Sequence, residues 1–370
     1  MSPERVIVVG GGVIGTMHAV EGRRRGFDVT QLEADAGPRR ASVRNFGLVW
    51  VSGRAAGTEL ALALRARELW QELGEQVKEL GFRPDGSLTI AADEEELAVM
   101  AELVGEPDAA AREVEVLGAD EVRRLNPAVK GDIAGAMWCR RDAIVEPGQV
   151  LGALREDLAR SGGYRWLPDT RVVAVTEGSV TDQRGQSYEA ERVVLCIGDQ
   201  LSGIGGAVGA DLASALIRRC RLQMMQTMAD SEHLTTAVAD GDSMRYYPAF
   251  DLPARAALPP PRAVTAAWAM QLLLVQRADG GLTIGDTHVY DEPFDFAVDE
   301  SAYDDLKARA ERILGRPLPR VVRRWAGVYS VVGDDRVYYR SQVLPGVEIV
   351  TAPAGRGMTL SPAIAEETFS

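Results

Sequence analysis

Apolar and polar positions along this chain change period several times, and each change marks an element. Val6-Ile7-Val8-Val9 is apolar without interruption, the pattern of a parallel strand buried on both faces. A glycine run follows, then a helical spacing with Val13, Met17 and Val20 on one face, closed by Arg23-Arg24-Arg25 and Gly26. A second strand over 29–32 ends at Glu33, which completes a βαβ unit. Leu69, Leu73, Val77 and Leu80 predict one long helix over 59–80, with Gly81 as its stop. Residues 83–140 mix a short strand (87–91) with a charged helix (93–103). A helix over 147–160 with a proline in its first turn leads to strands at 164–167, 171–176, 187–191 and 193–197. The stretch 215–320 has a different texture, with Pro259-Pro260-Pro261 in a loop and a helix lined by Tyr303, Leu306, Ala310 and Ile313. The chain then returns to a strand over 347–351, a glycine turn and a closing helix.

Composition narrows the class. A chain of 370 residues with 46% hydrophobic and 26% charged residues suits two packed domains. Lys and Arg total 41 against 54 Asp and Glu, a net charge of −13 that disfavours nucleic acid as a partner. A local arginine cluster could still receive a small anion. Cys139, Cys196 and Cys220 are widely spaced, without the pairing of a disulfide framework or a zinc site, and no metal is expected. The first strand begins almost at once and no apolar run approaches the roughly 20 residues of a membrane span. The expectation is a cytoplasmic protein without a membrane partner, its oligomeric state open.

The chemistry begins at Gly10-Gly11-Gly12-Val13-Ile14-Gly15, a G-x-G-x-x-G that leaves a strand and opens a helix. Its glycines allow the tight turn, the close approach of backbone to a pyrophosphate, and helix-to-strand packing. The helix N-terminus offers free N–H groups to the diphosphate. Glu33, 18 positions after Gly15, stands where a carboxylate accepts the ribose hydroxyls. These residues alone do not separate NAD from FAD.

Three later stretches resemble the D-amino-acid oxidase family of flavoproteins, the group that includes glycine oxidase and monomeric sarcosine oxidase. Ala41-Ser42-Val43-Arg44-Asn45-Phe46-Gly47 is similar to the family segment beside the pyrophosphate and flavin ring, with Ser42, Arg44, Asn45 and Gly47 as contacts. Val193 to Gly198 resembles the strand that brings a glycine to the cofactor, and Val173 falls where the family contacts adenine through backbone groups. Gly355-Arg356-Gly357-Met358-Thr359-Leu360-Ser361-Pro362 resembles the glycine turn and helix start under the pyrimidine edge of the flavin. Such a helix start stabilises the negative charge of a reduced flavin, with Thr359 adding a hydroxyl donor. The resemblance implies FAD, bound without a covalent link, because no cysteine follows Cys220 where covalent members carry theirs.

It also implies a fold class: α/β, with a discontinuous Rossmann-like FAD-binding domain (1–82, 141–214 and 321–370). A second, α+β substrate domain on a mixed sheet would come from 83–140 and 215–320. The implied reaction is oxidation of a small amine to an imine by hydride transfer to flavin N5, followed by hydrolysis. Electrons would go to O₂ or another acceptor. Such chemistry needs orientation and dryness more than acid–base groups. Amino-acid-oxidising members hold the substrate carboxylate with an arginine after a Trp-x-Gly segment. Here the segment is Trp325-Ala326-Gly327, and Tyr329 stands in the arginine's place. Gly285-Asp286-Thr287-His288-Val289-Tyr290 resembles a segment in members linked to aminophosphonate breakdown. Tyr329, His288 and Arg245, with Arg340 as a second anion clamp, are therefore the expected substrate-side residues for an amine carrying an anionic group. Leu222-Gln223-Met224-Met225-Gln226 resembles the strand that roofs the flavin in this family, and its Met pair is read as packing. The alternatives are a 2-hydroxy-acid dehydrogenase with His288 as base, and a non-catalytic FAD-binding subunit.

Overall fold

A computed structural model describes residues 3–201, 203–204, 212, 216–290, 292–295 and 297–370. The strand Arg5–Val9 lies inside a six-stranded sheet, between Asp28–Leu32 and Arg192–Leu195. Outside these lie Tyr164–Leu167 on one flank, then Val347–Thr351 and Tyr339–Leu344 on the other. All neighbours run parallel except the last pair. The uninterrupted apolar run is explained by burial of Val6 to Val9 on both faces. The helices Val13–Arg24, Thr58–Gln76 and Gly357–Thr368 pack together on one side of this sheet. A three-stranded antiparallel sheet, Val172–Thr176, Ser179–Asp182 and Ser187–Glu189, extends from it, and its middle strand has no counterpart in the sequence reading.

The second sheet has eight strands in the order Val321–Val331, Arg218–Ala229, Gly281–Gly285, Leu273–Gln276, Ala237–Ala239, Ser87–Ala91, Gly135–Cys139 and Val114–Gly118. It is mixed, because Ala237–Ala239 runs parallel to Ser87–Ala91 while the other pairs are antiparallel. Among the described residues no helix is long and apolar enough to cross a membrane.

Two sequence expectations need correction. Val321–Val331 belongs to this second sheet, hydrogen-bonded along its whole length to Arg218–Ala229, so 321–331 does not stand with the dinucleotide unit. The long helix ends at Gln76; Val77 turns extended (φ −122°, ψ 91°) so that a short 3₁₀ turn, Lys78–Leu80, can bury Leu80. Met244 to Tyr247 forms the helical turn Ser243–Tyr246 and the residue after it.

That turn is held from below by one buried cation. Arg309, on the helix Glu300–Leu314, is 1% exposed and bonds Asp240 at 2.9 Å, Asp242 at 2.7 Å and Asp305 at 2.7 Å. Asp240 also accepts the Leu272 N–H at 3.0 Å, so the same network fixes the strand beside the turn. Replacing Arg309 with Met leaves these carboxylates without their shared partner. Stability in urea denaturation should fall by about 3–5 kcal/mol.

Candidate active site

Both sheets wall a single elongated cavity of about 790 Å³, within the range of a large-ligand site. One end is the glycine turn. Gly10 has φ 119°, and a Cβ there would stand 2.3 Å from the Cys196 carbonyl oxygen; one on Gly15 would stand 2.1 Å from the Gly10 oxygen. Only glycine permits this packing of turn, helix and neighbouring strand. Gly10, Gly12, Val13 and Ile14 line the cavity, while Gly15 lies behind them as a packing contact. Glu33 also lines it, and its Oε2 accepts the Gly11 N–H at 2.6 Å while Oε1 accepts the Asp35 N–H at 3.0 Å. The carboxylate is thus aimed by the glycine turn itself.

The segment 41–47 crosses the first helix start. Ser42 Oγ accepts the Val13 N–H at 2.9 Å, which caps that helix from outside. Asn45 braces its own loop, donating to the Ala41 and Ser42 carbonyls and accepting from Gly47 N. Arg44 donates to the Ala326 carbonyl at 3.1 Å and so ties the loop to the second sheet. Ser42, Arg44 and Asn45 line the cavity; Gly47 does not, and serves the turn against Val145. Val173 and Gly198 are on the wall, Gly198 held by hydroxyl donation from Ser330 at 2.9 Å and Thr351 at 2.8 Å.

The helix Gly357–Thr368 opens onto the cavity with no side-chain cap, so its first N–H groups are free for a ligand. Gly355, Gly357, Met358 and Thr359 all line this end. The Thr359 hydroxyl has a different task from the one expected. It accepts the Trp50 N–H at 2.9 Å and donates to the Leu48 carbonyl at 3.2 Å, which leaves it as a fastener between helix and wall.

The other end of the cavity lies against the second sheet. Trp50, Arg54, Tyr246, Tyr247, Gln271, Asp286, His288 and Tyr329 surround it, with Leu222, Met224 and Leu273 as apolar floor. Tyr246 stacks on His288 (4.1 Å, 23°) and meets the Tyr329 hydroxyl at 3.4 Å. Tyr247 stands edge-on to Tyr246 at 5.1 Å. Burial pushes the phenols of Tyr246, Tyr247 and Tyr329 up, so they are neutral hydrogen-bonding groups at any working pH. His288 Nδ1 lies 2.8 Å from the Ala269 carbonyl, which fixes the proton there and turns Nε2 toward Asp286 at 3.7 Å.

The expected arginines are elsewhere. Arg245 bonds Asp242 at 3.2 Å and the Pro259 carbonyl at 2.6 Å, away from the cavity. Arg340 is exposed on the edge strand Tyr339–Leu344 and lines no part of it. Their neighbours in sequence suggested a pocket, but each points away from it. At this end of the cavity two other arginines stand on the wall. Arg54, 4% exposed, donates to the Trp50 carbonyl at 2.8 Å and lies 5.8 Å from the Tyr247 ring. Arg356, beside the helix start, pairs with Glu59 at 2.8 Å, and Arg54 approaches the same carboxylate at 3.5 Å. Two cations share one buried anion, which leaves a positive excess facing the cavity. Gln271 and Asp286 were also missed, although Asp286 sits inside the segment Gly285 to Tyr290.

The wall carrying Trp50 and Arg54 is fixed by Asp142, which is fully buried. Its carboxylate accepts Val51 N at 2.5 Å, Ser52 N at 3.1 Å, Ser52 Oγ at 2.7 Å and Ser87 Oγ at 2.6 Å. From the other side, Arg112 donates to the Val51 and Ser52 carbonyls at 3.3 and 3.0 Å.

A dinucleotide cradle whose far end opens into a buried, aromatic, polar pocket defines a nucleotide-cofactor oxidoreductase. The chain belongs to the DAO family of FAD dependent oxidoreductases, whose model matches residues 5–369. An opine oxidase subunit from Rhizobium meliloti is 28% identical over 215 residues, just over half of each chain (55% of this one, 58% of that one). The corresponding opine oxidase subunit from Agrobacterium tumefaciens is 26% identical over 365 residues, covering 94% of this chain and 88% of the relative. Glycine oxidase from Geobacillus kaustophilus has the same fold, with TM-score 0.79 at 21% identity over 99% of this chain and 94% of that one.

FAD is the cofactor of this family, and the residues fit it. The glycine cradle excludes a Cβ at Gly10 and Gly15, Glu33 faces the cavity, and two helix starts point into it at separate places. Replacing Glu33 with Gln should weaken FAD by roughly tenfold through loss of charge-assisted hydrogen bonds. Flavin retained after dialysis, read by absorbance against protein, checks this.

Proposed function

We propose that the protein oxidises a small primary or secondary amine bearing an anionic group, carboxylate or phosphonate, to an imine that water then hydrolyses. FAD, held non-covalently, supplies the hydride acceptor. The observation that carries this reading is the pairing, at one end of the cavity, of an arginine excess with a buried tyrosine cage. Arg54 and Arg356 share Glu59 and face the cavity, so an anion placed there meets net positive charge in a site of low dielectric. Burial lowers the pKa of Arg54, with Glu59 opposing it, but a guanidinium stays charged at such a site. Tyr246 and Tyr329 present hydroxyls in place of the single arginine that other family members use. Leu222, Met224 and Leu273 keep water from the reacting carbon. The opine and glycine oxidases among the relatives are named for substrates of this class, which agrees with the reading.

Anaerobic bleaching of the bound flavin across a panel of amino acids, N-substituted amino acids and aminoalkylphosphonates tests the reading. Bleaching by 2-hydroxy acids and by no amine would replace it with alcohol oxidation. A yellow protein that no compound bleaches would point to a non-catalytic subunit. For the amine that reacts, Arg356→Leu and Arg54→Lys should each raise KM about tenfold or more. Arg245→Leu and Arg340→Leu, both off the cavity, should leave KM unchanged.

A further inference from the structure

Asp286 lines the cavity and has no part in the reading above. The strand Gly281–Gly285 ends just before it, and a backbone pair with Gln271 (Asp286 N to Gln271 O 2.9 Å, Gln271 N to Asp286 O 3.3 Å) holds it in place. Thr287 between them turns inward, its hydroxyl accepting the Gln223 N–H at 3.0 Å, while Asp286 and His288 both face the cavity.

Asp286 is 5% exposed, and its Oδ1 has no hydrogen-bond donor. Gln271 is 1% exposed, and its Oε1 has none either. Two orphaned acceptors on one cavity wall call for a ligand with N–H donors. A buried carboxylate without a cation is costly. Among the described residues no arginine or lysine pairs with it, and His288 Nε2, at 3.7 Å, is beyond hydrogen-bond reach. The other groups facing Asp286 are uncharged: the phenols of Tyr246, Tyr247 and Tyr290 and the thiol of Cys220, all raised mainly by burial. Aromatic faces add attraction for a cation and none for an anion.

We propose that Asp286 binds the substrate's nitrogen as an ammonium ion, with Gln271 Oε1 as second acceptor, and takes one proton from it. This rests on the amine reading of the previous section. In the step, an N–H bond of the ammonium breaks and an O–H bond forms on the Asp286 carboxylate. No electron changes hands, and the amine is left neutral with its lone pair free, the state from which its α-C–H can depart as hydride. Burial raises the carboxyl of Asp286, with His288 and the Gln271 side chain opposing, which brings its proton affinity closer to that of an amine. The arrangement also assigns polarity to the substrate. Tyr247 lies between the two ends, with Arg54 5.8 Å from its ring and Gln271 Nε2 3.4 Å from its hydroxyl. A zwitterion spans them, anion toward Arg54 and nitrogen toward Asp286.

The test uses the FAD-loaded protein and tert-butylamine, an amine whose carbon carries no hydrogen to lose. Calorimetric titration at pH 8 in two buffers of different ionisation enthalpy counts the protons released on binding. The wild type should bind the amine with no net release, because the proton passes from ammonium to Asp286. Asp286→Asn should bind it roughly tenfold more weakly or more, and any amine it does bind should give up one proton to the buffer. Absence of wild-type binding, release of a full proton by the wild type, or an unchanged affinity in Asp286→Asn would each overturn the proposal. The wild-type proton count stands whether or not the variant keeps its flavin. Binding of tert-butylamine as expected, alongside a flavin that no amine bleaches, would sink the functional reading and leave the subsite intact.

Discussion

Asp142 is the constraint on which the cavity depends. Its carboxylate gathers two backbone N–H groups and one hydroxyl from Val51-Ser52 and a second hydroxyl from Ser87. The first pair of residues follows the strand Leu48–Val49, and Ser87 starts a strand of the eight-stranded sheet. One buried anion therefore locks the two architectural halves together at the place where they share a wall. A buried charge that accepts four donors loses little of what water would have given it, and the bonds are strengthened by the dry surroundings. Trp50 and Arg54 flank this anchor, so their position against Tyr247 is set by it.

The same logic repeats around the site. Thr359 joins the C-terminal helix to Leu48 and Trp50, Arg44 joins the 41–47 loop to Ala326, and Gly198 takes hydroxyls from Ser330 and Thr351. Nearly every cofactor-facing segment is thus pinned by a side chain from a distant part of the chain. The pocket is preorganised by long-range polar contacts; apolar packing supplies its floor.

This explains what the sequence revealed. The cradle from Gly10 to Glu33 was readable because its physics is local: a strand, a turn only glycine can make, and a helix start. The family resemblance carried the reading to Gly198 and to the helix at Gly357. The substrate end was not readable in the same way. Arg245 and Arg340 stand beside tyrosines, yet one is spent on Asp242 and the other faces outward from an edge strand. Arg54 and Arg356 are far apart in sequence and meet only because Glu59 lies between them. Val321–Val331 could not be assigned either, since it pairs with Arg218–Ala229, a strand remote from it along the chain. Thr359 shows the limit most clearly: the residue was in the right place and its hydroxyl was committed elsewhere.

The first and last helices of the described chain also meet. His18 bonds the Thr368 hydroxyl at 3.0 Å, and the Phe369 ring stands edge-on to His18 and Phe27. Because 357–359 form part of the wall that receives the cofactor, a nascent polypeptide leaving the ribosome exposes its glycine cradle long before the opposite wall exists. Residues 357–359 supply that opposite wall, so the helix acts as the latch that turns a nucleotide-binding half into a closed vessel.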